Sequence, residues 1–75
     1  MYVPLPLPEA LKRARELFEA SQKRFAAAAG VSVTQYQNYE SGKSEPTASV
    51  LIRLATHFEI SLDFLVGLSD NPDMH

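Results

Sequence analysis

The 75-residue chain reads as an all-α domain of five short helices. Three observations predict this class. Apolar residues recur at spacings of three and four, no strand-type alternation persists, and the helical stretches are bounded by capping residues or glycines. The length allows one small domain, and with no cysteine that domain must hold together by packing alone. A hydrophobic content of 45% is enough for that.

Residues 1–8 come first as a proline-rich arm, in which Pro4, Pro6 and Pro8 favour extended polyproline II backbone. From Glu9 the texture changes to helix formers. A first helix is expected to about Glu19, with Leu11, Ala14, Leu17 and Phe18 turned inward and Glu9 at the positive end of the dipole. Ser21 offers an N-cap to a second helix, Gln22 to Ala29, whose inner face is Phe25, Ala26 and Ala29, and Gly30 closes it. Ser32-Val33-Thr34-Gln35 has the pattern of a capping box, so a third helix starts at Val33 and ends near Ser41-Gly42. Thr47 caps a fourth helix with Leu51, Leu54, Ala55 and Phe58 inward. Ser61, with Asp63 in the first turn, starts a short fifth helix that ends by Gly67. Residues 68–75 read as a flexible tail. The domain proper is therefore residues 9–67.

Two short helices joined by a glycine-containing turn make a helix-turn-helix, here formed by the second and third helices. At 100° per residue the third helix has two faces. Tyr36, Tyr39 and Glu40 point toward the body, and Val33, Thr34, Gln37, Asn38 and Ser41 point outward. Amides on one face suit base edges, because Asn or Gln bonds bidentately to adenine and Val or Thr methyls touch the thymine methyl. The start of the second helix offers Ser21, Gln22, Lys23 and Arg24, which combine free backbone N–H groups, an amide and two cations suited to a phosphate. Lys43 adds a cation beyond the third helix.

Ser21-Gln22, Phe25-Ala26, Gly30-Val31-Ser32, Tyr39-Glu40-Ser41-Gly42-Lys43, Pro46, Leu51, Leu54-Ala55 and Ser61 through Gly67 occur in an order and spacing that resembles the lambda-repressor-like, Cro/cI-type helix-turn-helix domains. The resemblance covers residues 9–67. It implies a compact five-helix domain whose third helix lies in the DNA major groove, with Val33, Thr34, Gln37 and Asn38 reading bases. It also implies that Gln22 bonds a phosphate and braces the recognition helix and that the loop Gly42-Lys43-Ser44 makes a second backbone contact, so Gln22, Lys43 and Ser44 join Ser21 and Lys23 of the helix start as candidate phosphate contacts. By the same resemblance Arg15 pairs with Glu40 as a structural ion pair. The pattern is broken at Glu19 and Ala20, where the family usually has glycine and leucine, and at Glu59, where glycine is common. If Glu19 and Glu59 keep positive φ, each costs of order 1 kcal/mol.

Other functions fit the residues less well. His57 and His75 are the only histidines, no carboxylate stands three or four residues from His57 to orient it, and no nucleophile and base converge. No enzyme activity, cofactor, metal or small-molecule site is expected. No apolar stretch approaches the roughly 20 residues of a membrane span, and with no cysteine pointing to an oxidising compartment a cytoplasmic setting is the default expectation. The stronger alternative is a protein-interaction or dimerisation module with weak or no DNA binding, because Phe64, Val66 and Leu68 place apolar side chains at the terminal helix as a candidate dimer seam. Relatives often dimerise at this end, which implies a homodimer on a palindromic duplex operator. The outward face, with its Val, Thr, Gln and Asn and no Arg or Lys, predicts an A·T-biased site.

The net charge of −2 argues against DNA only as an average. Residues 9–24 carry five basic and three acidic groups, residues 25–43 balance, and residues 44–75 set one arginine against five acids. The acidic excess falls away from the candidate DNA face.

Overall fold

Capping decides where four of the five helices begin. The computed structural model describes residues 1–74, with α1 spanning Leu7–Leu17, α2 Gln22–Ala29, α3 Val33–Ser41, α4 Ala48–Phe58 and α5 Leu62–Leu65. Ser21, Ser32, Thr47 and Ser61 all sit in extended backbone, and each side-chain oxygen accepts the N–H three residues on. Gly30 and Gly42 close α2 and α3 in the left-handed region. Apart from an isolated antiparallel bridge between Ile60 and Asp73, no strand pairing occurs among the described residues.

α1 starts two residues before the position expected from Glu9. Pro8 lies in its first turn, where a missing N–H costs nothing, so Leu7 and Pro8 belong to the helix instead of the arm. The rest of the arm is docked. Leu5 N–H donates to the Gly67 carbonyl at 3.0 Å, and the Tyr2 hydroxyl donates to the same oxygen at 3.0 Å. Residues 68–74 are tied down as well, with Ser61 N–H donating to the Pro72 carbonyl at 2.9 Å and Leu68 N–H to the Asp63 carbonyl at 2.8 Å. The predicted flexible tail is therefore a folded-back segment as far as it is described, and His75 lies outside the described residues.

Arg13, which no spacing argument singled out, joins both ends. Its guanidinium donates to the Tyr2 hydroxyl, the Phe64 carbonyl at 2.7 Å and the Ser69 carbonyl at 2.8 Å, and lies 4.0 Å from the centre of the Phe64 ring. Its partners are mostly backbone oxygens more than 50 residues away.

The core centres on Phe25 of α2, stacked 4.5 Å from Phe58 of α4 and set edge-on 5.8 Å from Tyr36 of α3. Leu11, Ala14, Ala26, Ala29, Leu54 and Leu65 fill the space around it. Leu17, expected inward, is exposed. α1 ends at that residue, and Phe18 takes the inner place, 4.9 Å from Phe58. Val50 is buried in α4, while Leu51 is only half-buried.

Glu19 and Glu59 keep the glycine-type backbone, with φ of 51° and 53°. The chain thus accepts left-handed strain at two helix ends instead of displacing them. Replacing either glutamate by glycine is expected to raise stability by about 0.5 to 1 kcal/mol, the relief of strain exceeding the added freedom of the unfolded chain. Urea titration checks this, and a loss of stability in both variants would show that the bends are unstrained.

Candidate nucleic-acid interface

α2 and α3 pack together at the turn Gly30 to Ser32, and α1 supports α3 from behind. Tyr36 and Tyr39 are buried, as their shared face required, while Val33, Thr34, Gln37 and Ser41 are exposed. Asn38 is half-buried. Its carbonyl gathers the end of the helix, accepting the N–H groups of Gly42, Lys43 and Ser44 and the Ser41 hydroxyl. The backbone N–H groups of Lys43 and Ser44 are consequently spent inside the protein. What this loop presents outward is the Lys43 ammonium and the Ser44 hydroxyl.

At the start of α2, the Ser21 hydroxyl oxygen takes the Arg24 N–H at 3.0 Å. The N–H groups of Gln22 and Lys23, at the first two positions of the helix, have no partner within it, as at any helix start. Lys23 is exposed. Arg24 departs from the expectation of two cations at this end, because its guanidinium lies 5.3 Å from the centre of the Phe58 ring and so leans toward α4.

Beneath the outward face lies a polar cluster built on Glu40. Arg15 Nε donates to Glu40 Oε2 at 2.7 Å and Arg15 Nη2 to Oε1 at 3.1 Å, a bidentate pair with side chains 17% and 7% exposed. The Tyr36 hydroxyl donates to Oε2, and Gln22 Nε2 donates to Oε1 at 3.2 Å. Arg15 Nη1 further donates to the Ala20 carbonyl at 3.1 Å, fastening the turn between α1 and α2. Gln22 Oε1 accepts from Gln37 Nε2 at 3.3 Å. One continuous chain of hydrogen bonds therefore runs from the core to the exposed face.

The electrostatics follow from this geometry. Burial pushes the Glu40 carboxyl up, but the hydrogen bonds from Arg15, Tyr36 and Gln22 outweigh it and hold the group below the usual carboxylate range. Burial, reinforced by the bond to Glu40, pushes the Tyr36 phenol well above its ordinary value. The bond to Glu40 raises Arg15 against the opposing effect of burial.

Lys12 was not anticipated. It lines the same shallow cleft as Gln22, Gln37 and Ser41, and it is exposed. Its position one helical turn before Arg15 was the available signal. The candidate seam changes in the other direction. Phe64 is only 4% exposed, because α5 turns it into the core under Arg13, so it cannot serve as surface. Val66 is half-buried and Leu68 is 63% exposed.

A family model described as helix-turn-helix matches residues 11–65. The chain is 36% identical over 63 residues to the cryptic phage CTXphi transcriptional repressor RstR of Vibrio cholerae serotype O1, an overlap of 84% of this chain and 56% of that protein. It thus spans little more than half the length of that curated relative. Among solved structures, a transcriptional regulator from Listeria innocua superposes with a TM-score of 0.75 at 30% identity, covering 92% of this chain and 64% of the other. The P22 c2 repressor protein, crystallised with synthetic operator 9T, superposes with a TM-score of 0.74 over 87% of this chain and 98% of its own, and at 22% identity it shows the shared fold.

Proposed function

The chain belongs to the Cro/cI-type helix-turn-helix family, and from that premise we propose that it is a sequence-specific, double-stranded DNA-binding transcriptional regulator acting as a repressor. The observation that carries this reading is the exposed, uncharged face of α3 with the amide of Gln22 bonded to that of Gln37. An amide held at one corner keeps an outer edge with one acceptor and one donor, the set that matches adenine in the major groove. Val33, Thr34, Gln37 and Asn38 read bases in this proposal, and Ser21, Gln22, Lys23, Lys43 and Ser44 hold the phosphates. The relative from Vibrio cholerae, itself called a transcriptional repressor, supports the assignment.

The operator is A·T-biased and palindromic, bound by a homodimer that sets two α3 helices about 34 Å apart, one turn of DNA. With Phe64 buried, Val66 and Leu68 supply the seam, and an apolar groove lined by Ile52, Leu62 and Met74 offers a further surface. No helix among the described residues is long and apolar enough to cross a membrane. An operator-binding protein works where the DNA is, in the cytoplasm.

Selection from random duplex DNA across a salt series tests the reading. Expected is an A·T-rich consensus with a negative dependence of log K on log salt. A G·C-rich consensus would remove the base-reading assignment. Failure to bind any DNA, beside robust self-association, would favour an interaction module built on the groove between α4 and α5. On the selected site Asn38→Ala is expected to cost about 1 to 3 kcal/mol with little loss on unrelated DNA, whereas Lys43→Ala weakens binding to all sequences alike. Gel shift or fluorescence anisotropy separates the two patterns.

A further inference from the structure

We propose that the Tyr36 hydroxyl is a positioning group for base reading, orienting the Gln37 amide through Glu40 and Gln22. This rests on the DNA-binding reading above. The ring of Tyr36 is fully buried, packed edge-on against Phe25 and Tyr39, and its place in the core would be filled as well by phenylalanine. The hydroxyl is therefore an addition that packing does not require. Among the described residues its hydrogen-bond partner is Glu40 Oε2.

The argument is one of donor and acceptor counting. An ionised carboxylate only accepts, and its two oxygens have room for about four donors. Glu40 has four: Arg15 Nε and the Tyr36 hydroxyl on Oε2, and Arg15 Nη2 and Gln22 Nε2 on Oε1. Because Glu40 accepts only, Gln22 must turn its NH2 group inward, which leaves its oxygen facing α3. That oxygen in turn requires the NH2 end of Gln37, and it receives Nε2 at 3.3 Å. One N–H of Gln37 is thereby spent, and the other stays beside the free Oε1. The polarity of the reading edge is thus dictated from inside the protein.

Removing the hydroxyl leaves Oε2 one donor short where water has little access, since the Glu40 side chain is only 7% exposed. The nearest adaptable donor is the Gln22 amide, and any shift of it toward Oε2 draws it from Gln37. Arg15 cannot fill the gap, because its Nε and Nη2 are already committed to the two oxygens.

The test combines Tyr36→Phe with Gln37→Ala in the full chain, using side-chain amide NMR of the free protein and binding to the site selected from random DNA. In Tyr36→Phe the backbone spectrum is expected to stay native while the Gln22 and Gln37 amide signals shift. Preference for the selected site over unrelated DNA falls about tenfold, within the roughly five- to 150-fold that a bidentate contact supplies. The salt slope stays unchanged, and in the Gln37→Ala background the substitution has no further effect on preference. Unchanged amide signals overturn the proposal, as does an equal loss of preference with and without Gln37. A parallel fall in specific and non-specific binding also overturns it, by showing a merely structural role. If the unmodified chain shows no sequence preference at all, the base-reading premise fails and the specificity role with it, whereas a preference that Tyr36→Phe leaves intact defeats this proposal alone.

Discussion

Replacing Arg15 with alanine is expected to lower stability by about 3 to 5 kcal/mol, the cost of leaving a largely buried partner charge without its counter-ion. For a chain of this length the whole folding free energy is roughly 4 to 11 kcal/mol, so the substitution removes from about a quarter of the stability to all of it. The magnitude depends on burial. Glu40 is 7% exposed and would keep only two weaker neutral donors, Tyr36 and Gln22. The variant also loses the tie from Arg15 Nη1 to the Ala20 carbonyl, which fastens the bend at Glu19. Changing both members together, Arg15→Met with Glu40→Leu, should be far milder, because no unpaired charge remains. Urea denaturation distinguishes the cases. A loss under about 1 kcal/mol in Arg15→Ala would place the pair among ordinary surface salt bridges.

The same pair gives the stability a pH dependence of definite sign. Glu40 has a lower pKa folded than unfolded, so its contribution is complete above the unfolded value of about 4.3 and is lost as pH falls through the lower, folded value. Tyr36 behaves oppositely. Its folded pKa is raised, so its contribution is complete below about pH 10 and is lost as pH rises beyond that, where the unfolded chain ionises and the folded one resists. Melting temperatures followed across pH should therefore fall at the acid end less steeply in Glu40→Gln, and at the alkaline end less steeply in Tyr36→Phe, than in the unmodified chain.

Gly67→Ala should have the second large effect, a loss of about 2 to 5 kcal/mol. Two costs combine. The residue sits at φ 91°, a conformation that charges an L side chain about 1 to 2 kcal/mol, and an added Cβ would collide with the Leu5 carbonyl oxygen and crowd Ala10 Cβ at 3.2 Å. The colliding oxygen is backbone, and it belongs to the arm residue whose N–H bonds to Gly67, so relief means undocking the arm. Gly42→Ala is the control. It carries a similar φ of 82°, but its added Cβ would meet only Pro8 Cγ at an ordinary 3.7 Å. Calorimetry should place the Gly67 variant well below the Gly42 variant, and equal losses would show that the arm yields freely.

Local chemistry was enough to locate the helices. A capping hydroxyl and a closing glycine act within four residues, so Ser21, Ser32, Thr47 and Ser61 marked helix starts, and Gly30 and Gly42 marked ends, from spacing alone. Helical periodicity likewise separated Tyr36 and Tyr39 from the outward Val33, Thr34 and Gln37, because facing is a property of one helix. A helix end is less sharply marked where no glycine or capping hydroxyl closes it, as at the end of α1. Leu17 and Phe18 both fitted the inner stripe, and only the termination of α1 chose between them.

The amino-acid sequence by itself thus determined the class, the five elements and the polar face of α3. Tertiary structure decided what joins across distance. It buried Phe64, docked Leu5 and Tyr2 on Gly67, bent Arg24 toward Phe58, and gave Arg13 its partners at Phe64 and Ser69. It also threaded the hydrogen bonds from Tyr36 through Glu40 and Gln22 to Gln37. The division has one physical cause. Caps and periodicity are set by neighbours a few residues apart, whereas the depth of a charge and the far end of a hydrogen bond are set by which helices the folded chain brings together.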